Sequence, residues 1–590
     1  MAILGVLSLF QAWVLPGFLF LLLYKKIKII DNFVLSIPLS LVLNYILIYI
    51  LVFFNLYNQI LLLIIIFFEL IFIIYLLVRN YNFSKLINEI DNFFSIKSRN
   101  NLINVEFSFL NLIIFFLLIV YSFYALKNLG QPVHGGDPLD MWNEWAISWS
   151  KNIIPTGVEY PQVVPILYSI SYVLISNYDV EYFTSAVCLI YPIWIFVIFF
   201  RLTYLFPENK TLIKLSLIVT TFFLLSILRN YSLFVGYSDP ILVLATTGAC
   251  FIFFYFFVQN QNKYEMNFKD IILISLIASA PAITKQMGLL VSFIFPIFYL
   301  INNYYKKKIN FKNFILIILI IFIIITSWYI FPILEYSKIN FESTKFGRLS
   351  SSAMSGLQEV NFFTKLDYGL EYLFWKFKYL ILILILLSFN NKYALLVFLL
   401  IVLPYFLIWS LFFVADNRNF VMVSPFVGFI LSVGIINLFQ FFSLILNKYF
   451  KAFKIVSILL FSTLLLFSIQ KIKNNEKLIF KSIESKKLRG YPEINVLLYN
   501  SLKSSSPNHK IVTISDSVFV HLPSIGDKFI RTSCDKFINL VENKFKNQDY
   551  YFLLNTNYCD LESLIKNEQY FLKIDKIFDH KNHQLYFITN

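Results

Sequence analysis

Charge is scarce in this chain. Asp, Glu, Lys and Arg make up 14% of its 590 residues, against about 25% in an ordinary soluble domain. That shortage excludes a conventional water-soluble fold. Histidine and cysteine are scarce as well, at five and four, and no Cys/His cluster has the spacing of a zinc site. Cys188 and Cys250 lie in apolar blocks and read as core residues. Cys534 and Cys559 lie in the polar C-terminal region, where they could pair if that region is outside the cytoplasm. No low-complexity linker and no clear internal repeat is present. The first apolar block, residues 3–23, lacks the basic start and the small-residue cleavage site of a signal peptide, so it reads as a retained helix.

Apolar residues are what the chain has in excess, at 58% with a mean hydropathy of +0.71. They fall in blocks of Ile, Leu and Phe about as long as a helix needs to cross a hydrocarbon core of about 30 Å. About fourteen spans are expected, centred near residues 13, 44, 68, 118, 193, 221, 249, 277, 296, 322, 383, 403, 429 and 463. The net charge of +15 superficially suits a nucleic-acid partner. Its distribution suits a membrane better. Lys25, Lys26 and Lys28, then Arg79, Lys85, Lys97 and Arg99, then Arg201, Lys210 and Lys214 occupy alternate connections. Lys263 and Lys269, Lys306 to Lys308, Lys392, and Lys448, Lys451 and Lys454 continue the alternation. Basic connections stay in the cytoplasm, so both termini are expected outside.

An apolar stretch at 163–176 is too short to span and reads as a juxtamembrane or re-entrant helix on the outer face. Two outer loops follow from this topology, at 127–162 and 332–376, within a membrane domain of residues 1–470. The tail, residues 471–590, alternates strand-like runs at 510–515, 550–554 and 584–589 with helix-like stretches such as 535–545. It reads as a small non-cytoplasmic α/β domain. The expected fold is thus an α-helical polytopic membrane protein with a small C-terminal α/β domain.

The first outer loop carries His134-Gly-Gly-Asp137-Pro-Leu-Asp140-Met-Trp142-Asn-Glu144-Trp145. Asp137-Pro138 suits a helix start, and Asp140 and Glu144 then share a face. A carboxylate here can take a proton from a hydroxyl beside a lipid-borne donor. Asp140 is favoured for that role. Asp137 also reads as a helix cap and Glu144 as a solvated surface residue. Trp142, Trp145 and Trp149 suit the water–lipid interface. Glu159-Tyr160-Pro161 opens the short outer helix, and Gly236-Tyr-Ser-Asp239-Pro240 lies at the outer end of the seventh span, where Asp239 acts on substrate or caps the helix.

Outside the long loops, the outer face carries three cations: Arg229, Lys285 and Arg418. Each stands near a membrane edge, where charge is costly unless paired or used. Pairing with a carboxylate is the plainer account of any one of them. Three on the face of the acidic loop point to an anion site, since Arg grips phosphate through a fork and Lys acts as a point charge.

Together these motifs resemble the GT-C superfamily of polytopic glycosyltransferases. That superfamily includes the dolichyl-phosphate-mannose protein mannosyltransferases, the lipid A aminoarabinose transferase and relatives acting on lipopolysaccharide core sugars. The acidic loop, Tyr160-Pro-x-x-x-Pro165, Gly236–Pro240, Thr284-Lys285-x-x-Gly288, and Arg418 with Pro425 downstream occur in that order. Two features depart from the pattern. Three spans precede the acidic loop, where many relatives have one, and the loop lacks the adjacent Asp-Glu pair of the protein mannosyltransferases.

The resemblance implies an inverting transfer of sugar from a polyprenyl-phosphate donor to a glycan, lipid or protein acceptor, at the outer face of a bacterial inner membrane. Asp140, with Asp137 as runner-up, would be the base. Lys285, Arg418 and Arg229 would face the donor phosphate, with Asp239, Glu159 and Tyr160 assisting. A metal is optional, and Asp137 and Asp239 could share a divalent cation. Nucleic acid is not an expected partner. Two other readings remain open: a lipid-linked sugar flippase, and a ligase using a lipid-diphosphate polymer.

Overall fold

The computed structural model describes residues 2–24, 27–80, 109–129, 133, 138–155, 160–175, 181–234, 236–256, 267–305, 311–336, 362–374, 378–412 and 417–446 of the helical part. In the tail it describes 501–502, 509–514, 529–532, 537, 539–540, 545, 548–556, 573–580 and 583–589. The expected span near 463, the Cys534–Cys559 pairing and the second outer loop up to residue 361 lie outside the described residues.

The chain is a polytopic helical membrane protein. Its first four membrane segments are α1 (Ala2–Trp13) with α2 (Leu15–Tyr24), α3 (Ile29–Phe53), α4 (Gln59–Asn80) and α5 (Phe109–Asn128). A π-helical turn, Pro138–Asn143, leads into α6 (Glu144–Ser150), followed by α7 (Val163–Ile175) and α8 (Glu181–Ala186). Then come α9 (Ile190–Leu205), α10 (Lys210–Leu233), α11 (Ser238–Phe254), α12 (Phe268–Thr284), α13 (Gly288–Tyr305) and α14 (Phe311–Tyr336). The helical part ends in α15 (Phe362–Phe374), α16 (Lys378–Ser388), α17 (Lys392–Val397), α18 (Leu403–Phe412) and α19 (Ser424–Leu446).

Among the described residues, seven helices are long and apolar enough to cross a membrane, and α1–α2 makes an eighth if its 47° bend lies within one span. Several expected spans are shorter than foreseen. α16 has 11 residues, about 16 Å of helix, and does not cross the core alone. Large apolar side chains such as Ile60, Phe67, Phe68, Ile71 and Phe72 stand exposed along α4. In water this stripe would be an aggregation hazard; in lipid it is the solvated face.

Contacts sort the helix ends into two groups. At one end the Tyr24 hydroxyl donates to Asp270, and Asp31 of α3 pairs with Arg201 of α9, whose Nη2 lies 3.1 Å from Oδ2. Asn267 and Asp270 form a reciprocal cap on α12 there. At the other end Tyr57 and Asn152 exchange two bonds of 2.9 Å, and the Tyr329 hydroxyl donates to the Ala282 carbonyl at 3.2 Å.

α7 is buried along its whole length. It is too short to cross, yet it packs inside the bundle among α1, α3 and α6 rather than lying on its rim. Trp142 and Trp149 correct the interfacial expectation, being only 2% and 0% exposed. The Trp149 indole donates to Gln162 Oε1 at 3.0 Å, fastening α6 to the start of α7. A buried indole N–H needs a partner, and here a protein amide replaces interfacial water.

The tail contains a five-stranded sheet in the order β2-β1-β3-β5-β4. Its strands are β1 (Lys510–Ile514), β2 (Phe529–Arg531), β3 (Tyr550–Asn555), β4 (Lys573–His580) and β5 (His583–Thr589). β1 pairs in parallel with β2 and β3, and β5 lies antiparallel between β3 and β4. Val512, Ile514, Phe552, Leu554 and Ile588 form one face of its core with Phe537 and Phe545.

Candidate functional site

The turn between α10 and α11 organises the second end of the bundle. Gly236 has φ of 108°, a conformation natural to glycine. A Cβ placed there would stand 2.4 Å from the Tyr168 hydroxyl oxygen and 3.4 Å from Pro138 Cβ. The Tyr168 hydroxyl donates to the Gly236 carbonyl at 3.0 Å. Three pieces meet at this glycine: the buried helix α7, the first residue of the acidic turn, and the motif that opens α11.

Three residues further on, Asp239 occupies the first turn of α11 and is 1% exposed. Lys285 Nζ donates to Asp239 Oδ1 at 2.7 Å. The chain places Lys285 there through a tight reversal between α12 and α13. Pro281 lies in the last turn of α12, the Lys285 N–H closes that turn on the Pro281 carbonyl at 3.2 Å, and the Gly288 N–H bonds the Lys285 carbonyl at 2.8 Å. A Cβ on Gly288 would lie 2.0 Å from the Pro281 oxygen. Thr284 bonds back to Ala280 O at 2.7 Å. In the Thr-Lys-x-x-Gly motif, then, threonine and glycine build the turn and lysine carries the charge.

Arg418 reaches the same turn from a third direction. Its guanidinium carbon lies 5.0 Å from the centroid of the Tyr237 ring, a cation–π contact. The segment Asn417–Val423 is anchored by Phe420, whose ring packs 5.4 Å from Trp409 and 5.7 Å from Tyr405. The Tyr405 hydroxyl also donates to the Asn419 carbonyl. Tyr237 and Asp239, two residues apart at the start of α11, thus hold one cation each.

The acidic segment lies against this cluster through Pro138. Asp140 is placed by its backbone in the π-helical turn Pro138–Asn143. Trp142 fixes that turn, with its ring 5.2 Å from Trp145 and 5.3 Å from Tyr160. The Tyr172 hydroxyl donates to Asn143 Oδ1. Glu144 is exposed. Arg229 falls in the last turns of α10, placed by its backbone. Asp137 and Glu159 lie outside the described residues.

Lys285 and Asp239, assigned to different tasks by their motifs, are therefore partners. Asp239 holds an ammonium, and among the described residues no group of three His, Cys, Asp or Glu side chains gathers that could hold a metal. Sequence reasoning missed the roles of Tyr237 and Tyr168. Tyr237 stood inside a quoted motif, but no spacing rule announces a ring beneath a cation that lies far away in the chain.

No family model matches this chain, and no curated protein matches it. Among solved structures, it is similar to the crystal structure of ArnT from Cupriavidus metallidurans bound to undecaprenyl phosphate. The identity is 10% and the TM-score 0.44, over 81% of this chain and 98% of that one.

Proposed function

We propose that this chain is a membrane glycosyltransferase of the GT-C type, transferring a sugar from a polyprenyl-phosphate donor to a hydroxyl of a glycan, lipid or protein acceptor. One observation carries the reading. Two connections, far apart in sequence, deliver Lys285 and Arg418 to a single turn against which Pro138 of the acidic segment containing Asp140 lies. Asp239 holds Lys285, and Arg418 brings a second cation to the same turn, which suits an anionic ligand.

In the reaction the acceptor oxygen attacks the anomeric carbon as the bond from that carbon to the phosphate oxygen breaks. The acceptor proton passes to Asp140, with Asp137 as the alternative base. Polyprenyl phosphate departs with the bonding electrons. Its growing charge is met by Lys285 and Arg418, and by Arg229 from α10. Donors aimed at charge that develops in the transition state stabilise it more than the ground state. Tyr160, whose ring packs 5.3 Å from Trp142, and Glu159 assist with the substrate in this reading. Asp239 sets the position of Lys285. Any divalent cation shared with Asp137 would compete with that lysine for the same carboxylate.

In this reading the site faces the outer, periplasmic side of a bacterial inner membrane. Residues 1–470 form the transferase body. Residues 471–590, whose sheet shows no carboxylate cluster among the described residues, cover the site or recognise the acceptor. The test is protein in lipid nanodiscs supplied with a polyprenyl-phosphate sugar and acceptor. Release of free polyprenyl phosphate supports transfer. Movement of intact donor between leaflets without release supports a flippase instead.

A further inference from the structure

The first three spans contain a polar cluster that the outer site does not use. It begins at the bend between α1 and α2. Pro16 has no N–H to offer the Ala12 carbonyl. Asn44 of α3 supplies the missing donor, its Nδ2 lying 3.3 Å from Ala12 O and 2.8 Å from Gln11 O. Gln11 Nε2 in turn donates to Asn44 Oδ1 at 3.1 Å and reaches Glu69 Oε1 of α4 at 3.5 Å. Gln11 and Asn44 are fully buried and Glu69 is 9% exposed.

Two atoms are left over. Gln11 Oε1 and Glu69 Oε2 are buried without a hydrogen-bond partner. Both are oxygens, and against an ionised carboxylate both are acceptors, so they cannot satisfy each other. Among the described residues no cation is paired with either. Helices α1, α2, α3 and α7 contain no Lys, Arg or His. Arg79, on α4, stands ten residues further on, about 15 Å along the helix, and donates to the Tyr75 hydroxyl at 2.8 Å. An uncompensated carboxylate at this depth is expensive.

A single proton on Glu69 Oε2 removes the charge and makes that atom a donor, and the Gln11 carboxamide, whose Nε2 already lies 3.5 Å from the other oxygen of the same carboxylate, has Oε1 free to accept. A metal ion fits less well, since hard cations take about six oxygen ligands and Asn44 Oδ1 is already shared with Gln11. We propose that Gln11, Asn44 and Glu69 form a proton-binding site within the membrane, in which Glu69 is a neutral carboxylic acid hydrogen-bonded to the Gln11 carboxamide. The bound proton ties α4 to the bend of the first span. That bend is also fixed from above, where the Trp13 indole donates to the Val187 carbonyl at 2.8 Å.

Infrared spectroscopy of the intact protein in nanodiscs near neutral pH tests this. The wild-type minus Glu69→Gln difference should contain the carbonyl stretch of one protonated carboxylic acid. A carboxylate stretch in its place overturns the proposal. So does a carboxylic-acid band that disappears when sodium is added, which makes the cluster a cation site. Gln11→Leu provides a second reading should Glu69→Gln fail to fold. It removes the acceptor, so the acid band should shift, and an unchanged band overturns the pairing.

Discussion

Lys285, on the reversal between α12 and α13, donates to Asp239 in the first turn of α11 across 2.7 Å, with both side chains buried. The bond joins two motifs 46 residues apart and makes one unit of them. Removing one member of a buried pair costs about 3–5 kcal/mol, while replacing both with neutral groups of similar volume is often tolerated. Lys285→Ala should therefore lower both thermal stability and turnover. The double variant Asp239→Asn, Lys285→Met should recover most of the melting temperature and none of the activity. Paired melting and turnover measurements check this; recovered activity would remove Lys285 from the anion site.

Arg418 offers a finer test. Arg418→Lys keeps the charge and loses the flat face over Tyr237 and the forked grip on phosphate. Cation–π contacts in partly desolvated places are worth about 0.5–2 kcal/mol. Turnover should fall about tenfold, as should that of Tyr237→Leu, and the double variant should be little worse than either single one. Simple multiplication of the two losses would mean the pair does not act together.

Gly236→Ala places a methyl group 2.4 Å from the Tyr168 hydroxyl at a φ of 108°. The left-handed backbone alone costs about 1–2 kcal/mol for a residue with a side chain. The variant should melt well below wild type, and adding Tyr168→Phe should relieve the clash without relieving the backbone term. Partial recovery is the expected melting result.

Sidedness can be read with single cysteines. Asn55, after α3, and Glu208, before α10, are both exposed and belong to opposite ends of the bundle. On a background with Cys534 and Cys559 replaced by serine, Asn55→Cys should react with an impermeant thiol reagent from outside. Glu208→Cys should react only after the membrane is opened. The reverse pattern would put the Lys285–Asp239 end in the cytoplasm.

Much of the fold was legible because membrane helices announce themselves by long apolar runs, and because the basic residues mark alternate connections. Strands β1, β3 and β5 were legible from their apolar runs. β2 was hidden by its three-residue length. β4 was hidden because Lys573, Asp575, Lys576 and Asp579 interrupt it, as suits an edge strand paired only with β5. The cations of the site were legible as charges that oppose the topology. Their partners were not, since Asp239 and Tyr237 meet Lys285 and Arg418 only through packing of distant helices. Glu69 was passed over because one carboxyl in an apolar run does not disturb the hydropathy of that run.

The most direct test of the central claim is release of polyprenyl phosphate by Asp140→Asn in nanodiscs with donor and acceptor supplied. A general base is worth about 10²–10⁴ in rate, so release should fall at least about a hundredfold while donor binding, measured separately, stays near wild type. Equal release by Asp140→Asn and wild type would contradict the assignment of the base and turn attention to Asp137.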